Sequence, residues 1–297
     1  MYCSKFNLTE PDGHCAAGFY CQSGSDTPTP QLSNHTGIGG PCPHGSYCPY
    51  NTSHPKPCPP GRYGNGTHKK KAEDCRLCEP GYYCDKEGLT DVGGECAKGF
   101  FCLNGSQYEK PPQQTDTGGP CTLGHYCENG TSLPLECDAG TYNNQTGQSA
   151  CKPCCEGFYC DKGSITCTEE CPVGHYCPQG TASLTQYPCP PGTFNNVSGR
   201  SDPSDCRPCL AGQYCPRSGA SRPHGDCDAG WWCRGGASSP QPVDLGNSTD
   251  DGQCICSNIT TGGKCEAGTF CPSGSTKPTP CSPGTCIFLL LRQFVSN

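Results

Sequence analysis

The chain has 297 residues, a net charge of -7 and few of the side chains that build an apolar core. Leu, Ile, Val and Phe make up about a ninth of it, below the roughly 20% that marks an ordinary globular domain. Cysteine numbers 33, a share typical of a disulfide scaffold in which cross-links replace the core. Composition therefore argues against a conventional globular domain, and the acidic charge gives no basic footprint for nucleic acid.

A short block with the pattern Cys-x-x-Gly-x-aromatic-Cys recurs ten times along the chain. The glycine lies where the chain would reverse, because a residue without Cβ accepts a positive φ at little cost. The aromatic ring would cover a small interior lined by a disulfide. The blocks begin at Cys15, Cys42, Cys78, Cys96, Cys121, Cys154, Cys171, Cys209, Cys227 and Cys265.

A long block opens in the same way, but a polar loop separates its aromatic residue from the second cysteine. Closing a loop of about 15 residues contributes roughly 3 kcal/mol. The long blocks therefore predict the disulfides Cys58–Cys75, Cys137–Cys151 and Cys189–Cys206. A fourth long block begins at Cys281.

The pairing within the short blocks is left open by the sequence. A block could close on itself, as in Cys209–Cys215, or crossed pairs could join neighbouring blocks, as in Cys209–Cys227 with Cys215–Cys233. An added pair, Cys155 with Cys167, fits the third part of the chain.

Connector lengths group the blocks into larger repeats. These cover residues 1–75, 78–151, 154–206 and 209–284, followed by an off-pattern tail at 285–297. The abundance of Gly and Pro disfavours long helices and central strands. We therefore predict small disulfide-rich repeats: β-hairpin and turn modules in tandem, forming an extended rod with little regular secondary structure.

The repeat register also bears on the ends of the sequence. Cys3 is spaced from Cys15 as a closing cysteine, so we expect the chain to begin inside a short block. The segment after Gly284 departs from the repeat. The sequence is interpreted as a fragment of a longer protein, with a membrane reached only through missing parts.

Asparagines in Asn-x-Ser/Thr motifs are far more frequent than chance predicts, which favours a secreted, glycosylated chain with oxidised cysteines. A cytosolic zinc-binding protein is the competing interpretation. The Cys-x-x-Cys pairs are far apart along the chain, unlike those of zinc ribbons. The ten predicted acceptors are Asn7, Asn34, Asn51, Asn65, Asn104, Asn129, Asn144, Asn196, Asn247 and Asn258.

The long-block sequence CPPGTFNNVSGRSDPSDCRPC resembles the ephrin-receptor-like cysteine-rich repeat. It is more distantly similar to modules of tumour necrosis factor receptors and to EGF-like modules. The resemblance implies an extracellular rod, spacer or binding surface and does not imply one particular function.

No catalytic, cofactor or metal motif is found. His125, His175 and the run of lysines at 69–71 are interpreted as exposed repeat or loop positions, and Asp250-Asp251 as a solvated connector. Trp231 and Trp232 are the candidate partner contact, although packing against the next module is the simpler explanation.

The sequence thus predicts a non-enzymatic extracellular spacer that presents a surface for adhesion or for an unidentified protein or glycan ligand. A signalling-receptor ectodomain and a cytosolic zinc-binding protein are the alternatives.

Overall fold

A computed structural model describes residues 1–5, 7–31, 38–243 and 261–282. Their regular structure is limited to strands of two or three residues and two 3-10 helices, Ala72–Asp74 and Pro203–Asp205. This confirms the predicted fold class of small disulfide-rich β-hairpin modules. Contacts divide the chain into two compact units, Met1–Cys137 with Asn143–Lys152 and Asp138–Tyr142 with Pro153–Asn297.

The strands follow the blocks. In chain order they are β1 (Phe19–Cys21), β2 (Gly39–Pro41), β3 (Ser46–Tyr47), β4 (Lys56–Pro57), β5 (Arg62–Tyr63), β6 (Arg76–Leu77), β7 (Tyr82–Tyr83), β8 (Gly94–Glu95), β9 (Phe100–Cys102), β10 (Gly118–Pro120), β11 (His125–Tyr126), β12 (Leu135–Glu136), β13 (Thr141–Tyr142), β14 (Lys152–Pro153), β15 (Phe158–Tyr159), β16 (Glu169–Glu170), β17 (Thr193–Phe194), β18 (Arg207–Pro208), β19 (Gln213–Tyr214), β20 (Gly225–Asp226), β21 (Trp231–Cys233), β22 (Gly262–Lys264), β23 (Thr269–Phe270) and β24 (Thr279–Pro280).

Most modules are two-stranded hairpins, whereas the Cys171 module has only an isolated bridge between His175 and Pro188. In β1 to β12 and in β15 to β24, every odd-numbered strand pairs antiparallel with the strand that follows it. The first strand carries the aromatic residue of a block, and the second ends immediately before the next opening cysteine. In β7 and β8, for example, Tyr83 lies opposite Gly94. The connectors that vary in length therefore form the hairpin loops.

Disulfides form the interior of the modules. Tyr63 is buried against Cys78 and Cys84 of the following module. Phe101 contacts Cys121 and Cys127 in the same way. Each of these rings thus covers the disulfide of the next block, which is how the chain buries apolar surface with so few aliphatic side chains.

The glycine of several blocks lies in close contact with a neighbouring module. Gly81, at φ +85°, donates its N–H to the Cys102 carbonyl at 2.8 Å, and its own carbonyl accepts the Cys96 N–H at 2.8 Å. A Cβ on Gly81 would lie 2.4 Å from the Gly130 carbonyl oxygen, which belongs to the module after that. A side chain is therefore excluded both by the backbone conformation and by the space available.

Three hairpins that contain a Gly-Gly connector are longer than the rest, whereas the hairpin β7/β8, with Gly93-Gly94, has two residues per strand. The strand pairs β1/β2, β9/β10 and β21/β22 have three residues per strand. Their second strands begin with Gly39, Gly118 and Gly262, all at positive φ. A Cβ there would lie 2.2 to 2.3 Å from the carbonyl oxygen of the aromatic residue on the paired strand, which precedes the cysteine directly opposite. The first glycine of these three connectors is thus required by the backbone conformation and by the space available.

Fourteen disulfides connect described cysteines. The long-block pairs Cys58–Cys75, Cys137–Cys151 and Cys189–Cys206 are bonded, and so is Cys155–Cys167. The ten short blocks are closed on themselves, as in Cys209–Cys215. Cys3 is a free, exposed thiol.

No helix in the described part of the chain is both long and apolar enough to cross a membrane. The boundaries of the four larger repeats stay a prediction.

Candidate interaction surface

Trp231 and Trp232 lie on neighbouring positions of β21, so their side chains point to opposite faces of the hairpin. Trp231 is paired with Lys264 and Trp232 with Gly263. Both rings are half-buried. Trp232 occupies the position of the block's aromatic residue, whereas Trp231 occupies the variable position before it.

The Trp232 indole lies over the glycine of the opposite strand. A Cβ on Gly263 would be 3.5 Å from the indole Nε1. This contact is the packing that the repeat position predicts, and it accounts for part of the ring's burial. The remaining exposed part of the ring faces solvent.

A shallow depression of about 450 Å³ adjoins that exposed part. Its lining combines the Trp232 indole and Lys264 of the same hairpin with Glu266, Thr269 and Pro278 of the following module. An aromatic ring beside a cation, a carboxylate and a hydroxyl can contact an apolar group and hydrogen-bond a polar one at the same time. We call this the Trp232 depression.

The acceptor asparagines that the structure describes are exposed. They are Asn7, Asn51, Asn65, Asn104, Asn129, Asn144 and Asn196. The remaining three, Asn34, Asn247 and Asn258, lie outside the described residues, as does Asp250-Asp251.

The three lysines of the basic run at 69–71 differ in how far they are buried. Lys69 is buried, and its ammonium group donates to the Gly66 carbonyl. Burial lowers the pKa of Lys69, and the nearby Arg76 charge adds to that effect. Lys70 and Lys71 are exposed, and their backbone N–H groups donate to the Asp74 carboxylate. Only two of the three lysines could therefore contact an anionic partner, and interpreting Lys69 as a solvated residue was wrong.

The histidines at the variable position before the aromatic residue bond within their own turn. Nδ1 of His125 lies 2.8 Å from the Leu123 carbonyl oxygen. In His175 the corresponding distance, to Val173, is 3.2 Å. Both side chains are half-buried, so the imidazoles stabilise local turns.

Three sulfurs of the second unit lie within 4.8 Å of one another, those of Cys154, Cys160 and Cys167. Such a cluster could hold zinc only as thiolates. Here Cys154 is bonded to Cys160, and Cys167 to Cys155. The oxidised sulfurs do not favour the zinc-binding alternative.

Two structural asparagines were missed by sequence reasoning. Asn143 and Asn195 are buried at the position where a short block has its closing cysteine. Their side-chain amides donate to the carbonyls of His125 and His175 in the preceding module, at 2.7 and 2.9 Å. The Asn-Asn doublet after the aromatic residue, present in the long blocks at Cys137 and Cys189, is the sequence signal that could have identified them.

The disulfides indicate an oxidising, extracellular environment for this cysteine-rich chain. No known protein-family model matches the chain, and comparison with curated proteins finds no significant match.

Proposed function

We propose that the chain is a non-enzymatic extracellular region of ephrin-receptor-like cysteine-rich repeats, acting as a spacer that also presents a ligand-binding surface. The observation that carries the spacer role is the main-chain interlocking of successive modules within each unit. A spacer has to transmit force along the chain without opening, and such interlocking serves that purpose.

The junction between two modules illustrates the mechanical argument. To separate the Cys209 module from the Cys227 module, the bonds from the Gly212 N–H to Cys233 and from the Cys227 N–H to Gly212 must break together, each 2.8 to 2.9 Å long. The Cys215 N–H bond to the Ala237 carbonyl, at 2.8 Å, must break with them. Disulfides limit how far each module extends afterwards.

The Trp232 depression supports the second part of the proposal. Aromatic rings dominate the energetics of protein recognition sites, and an indole face also stacks on apolar ligand surfaces. Lys264 and Glu266 at its border supply both charges for selectivity. An extracellular protein or glycan is the partner class we propose, and a receptor ectodomain would use the same surface.

Single-molecule stretching of the oxidised, secreted chain tests the spacer role. We expect high-force opening events with short length gains, because every described short block is locked by its disulfide. In a reducing buffer the same chain should open at lower force and extend much further. Equal force and extension in both buffers would contradict the proposal, as would chains recovered with reduced cysteines and bound zinc.

A further inference from the structure

Two acceptor motifs in the first unit have the same sequence but different surroundings. Asn65-Gly66-Thr67 and Asn129-Gly130-Thr131 are both Asn-Gly-Thr. Thr67 is exposed in the polar loop of a long block. Thr131 is 9% exposed, in the turn that follows a closing cysteine. The motifs therefore differ chiefly in access to the hydroxyl residue.

The buried hydroxyl is part of the contact between modules. The Thr131 carbonyl accepts the Cys102 N–H of the preceding module at 3.1 Å, and the Gly130 N–H donates to the Cys96 carbonyl at 2.9 Å. The Thr131 hydroxyl donates to the Glu128 carbonyl at 2.8 Å. With its backbone held by the neighbour and its hydroxyl bonded inward, Thr131 is inaccessible while the modules are stacked.

The motif at Asn104 has the same arrangement. Its hydroxyl residue, Ser106, is 1% exposed. The Ser106 carbonyl accepts the Cys84 N–H at 2.9 Å, and the Gly105 N–H donates to the Cys78 carbonyl at 2.8 Å.

This hydroxyl has a structural reason that is independent of glycosylation. The turn Gln179-Gly180-Thr181 contains no acceptor asparagine, yet Thr181 is 0% exposed and its hydroxyl donates to the Pro178 carbonyl at 2.6 Å. The Thr181 carbonyl accepts the Cys160 N–H in the same way. The turn thus buries a small residue after its glycine, a hydroxyl residue here and Ala237 in the turn after Cys233, whether or not an asparagine is present. Where an asparagine precedes the glycine and a hydroxyl residue follows it, the turn contains an acceptor motif.

The long-block loops leave the hydroxyl accessible. Thr146 of the Asn144 motif and Ser198 of the Asn196 motif are both exposed. The Ser198 hydroxyl makes one bond, to the exposed carboxylate of Glu170 at 2.8 Å. In these loops the contact with the preceding module is made by the following residues, Gly147 with Gln148 and Gly199 with Arg200, so the hydroxyl residue itself lies outside it.

We propose that the acceptors form two classes, in which Asn104 and Asn129 are glycosylated only before their modules stack, whereas Asn65, Asn144 and Asn196 stay substrates in the folded chain. The reason is that the motif requires the hydroxyl at its third position, and the glycosylating enzyme cannot bind a hydroxyl that is buried between two packed modules. Because both asparagines are exposed, a glycan attached early is compatible with the fold. The inference rests on the extracellular function proposed above, since only a secreted chain meets the glycosylating enzyme.

The test offers the purified 297-residue chain to an oligosaccharyltransferase with its lipid-linked glycan donor. The chain is made without glycans in a bacterial periplasm and checked for its disulfides by intact mass. One sample stays oxidised, and the other is reduced and alkylated so that no module can stack. Mass spectrometry measures the occupancy of each acceptor in both samples.

In the oxidised chain we expect occupancy at Asn65 to exceed that at Asn129 at least tenfold, and Asn144 and Asn196 to exceed Asn104 similarly. In the alkylated chain the difference should vanish. Equal modification of Asn65 and Asn129 in the oxidised chain would overturn the inference. So would a failure of Asn129 to react in the alkylated chain, because the local sequence rather than the stack would then be the cause.

The variant Gln179→Asn extends the test to the second unit. It places a new acceptor before the buried Thr181 hydroxyl, and we expect this site to react only in the alkylated chain. Reaction in the oxidised chain at the Asn196 level would contradict the inference. Since the assay uses purified components, its failure is distinct from that of the proposed function, which fails if the secreted chain retains reduced cysteines.

Discussion

Individual glycines carry much of the structural constraint in this protein. Gly174 has φ +82°, and an added Cβ would lie 2.2 Å from the Gly219 carbonyl oxygen. Gly163 has φ +76°, but a Cβ there would meet nothing within 4 Å. The two positions therefore separate the cost of backbone conformation from the cost of a clash between modules.

We predict that Gly174→Ala destabilises its junction by roughly 3 kcal/mol or more, because a backbone carbonyl must move as well. Hydrogen exchange of the Cys189 amide, which donates to the Gly174 carbonyl at 2.8 Å, should accelerate about a hundredfold. Gly163→Ala is the control and should cost only about 1 to 2 kcal/mol. Equal effects of the two substitutions would show that the contact between modules is not tight.

Buried asparagines give a second residue-scale prediction. Asn195 is 3% exposed, and its Oδ1 accepts the Val197 N–H at 3.0 Å while its amide donates to the preceding module. Replacing it with alanine leaves the His175 carbonyl unpaired, so we expect a loss of about 1 to 3 kcal/mol. The rate of hydrogen exchange of the Gly174 amide in the unglycosylated chain would measure this loss of stability.

Asn196→Ala is the matched control for that substitution. Asn196 is the exposed neighbour, so its removal should change stability by no more than about 0.5 kcal/mol. If Asn195→Ala were equally mild, the buried amide would not be a structural substitute for the closing cysteine.

At the scale of elements, the 3-10 helix Ala72–Asp74 holds the basic run in place. The backbone N–H groups of Lys70 and Lys71 both donate to the Asp74 carboxylate. These bonds, with that of Lys70 the larger effect, lower the pKa of Asp74, although partial desolvation of the carboxylate opposes the shift. A carboxylate whose pKa is lowered by folding contributes fully to the stability of the folded state at pH values above the ordinary pKa of aspartate. This contribution is lost as the pH falls through the lowered value.

Asp74→Ala should therefore loosen residues 69–71 at neutral pH. We expect trypsin to cleave after Lys70 and Lys71 several-fold faster, since proteolysis follows local opening. Glu73→Ala removes a neighbouring exposed carboxylate with no such bond among the described contacts, and serves as the control. In the wild-type chain, the Lys70 amide resonance should shift only at a pH below the ordinary aspartate range. An unchanged cleavage rate in Asp74→Ala would contradict this account of the loop.

The disulfides also differ in accessibility. Cys155 and Cys167 are both half-buried, whereas Cys171 and Cys177 are buried. Because exchange requires access to a sulfur, limiting reductant should open Cys155–Cys167 before Cys171–Cys177. Alkylation followed by peptide mapping would give the order. Simultaneous opening would indicate that the modules unfold together rather than by local access.

Much of the fold could be predicted at this scale, for physical reasons. The block spacing identifies the hairpins, and the long-block spacing favours the pairs that the structure contains. Loop entropy alone does not decide between self-closed and crossed short blocks, because that choice depends on how modules stack in space. The burial of Lys69 could not be predicted for a similar reason. It results from the packing of one module on another, where the Lys69 carbonyl accepts the Cys48 N–H at 2.8 Å, whereas the neighbouring residues in the sequence are polar.

At the scale of the whole molecule, each unit consists of modules whose stability comes from their own disulfides and from contacts with the next modules. Stability should then be distributed along the chain, as in other repeat proteins. Removing one short-block disulfide, for example with Cys121→Ser and Cys127→Ser together, should loosen that module and its neighbours only. Hydrogen exchange resolved along the chain would show this, and loss of protection throughout the first unit would contradict it.

The disulfide map of the secreted chain tests the central claim most directly. Proteolysis under non-reducing conditions, followed by mass spectrometry, should recover self-closed short blocks such as Cys209–Cys215 and Cys227–Cys233. Crossed peptides joining Cys209 to Cys227 and Cys215 to Cys233 would contradict the account of independently closed modules. Freely alkylated cysteines with bound zinc would contradict both the scaffold and its extracellular environment.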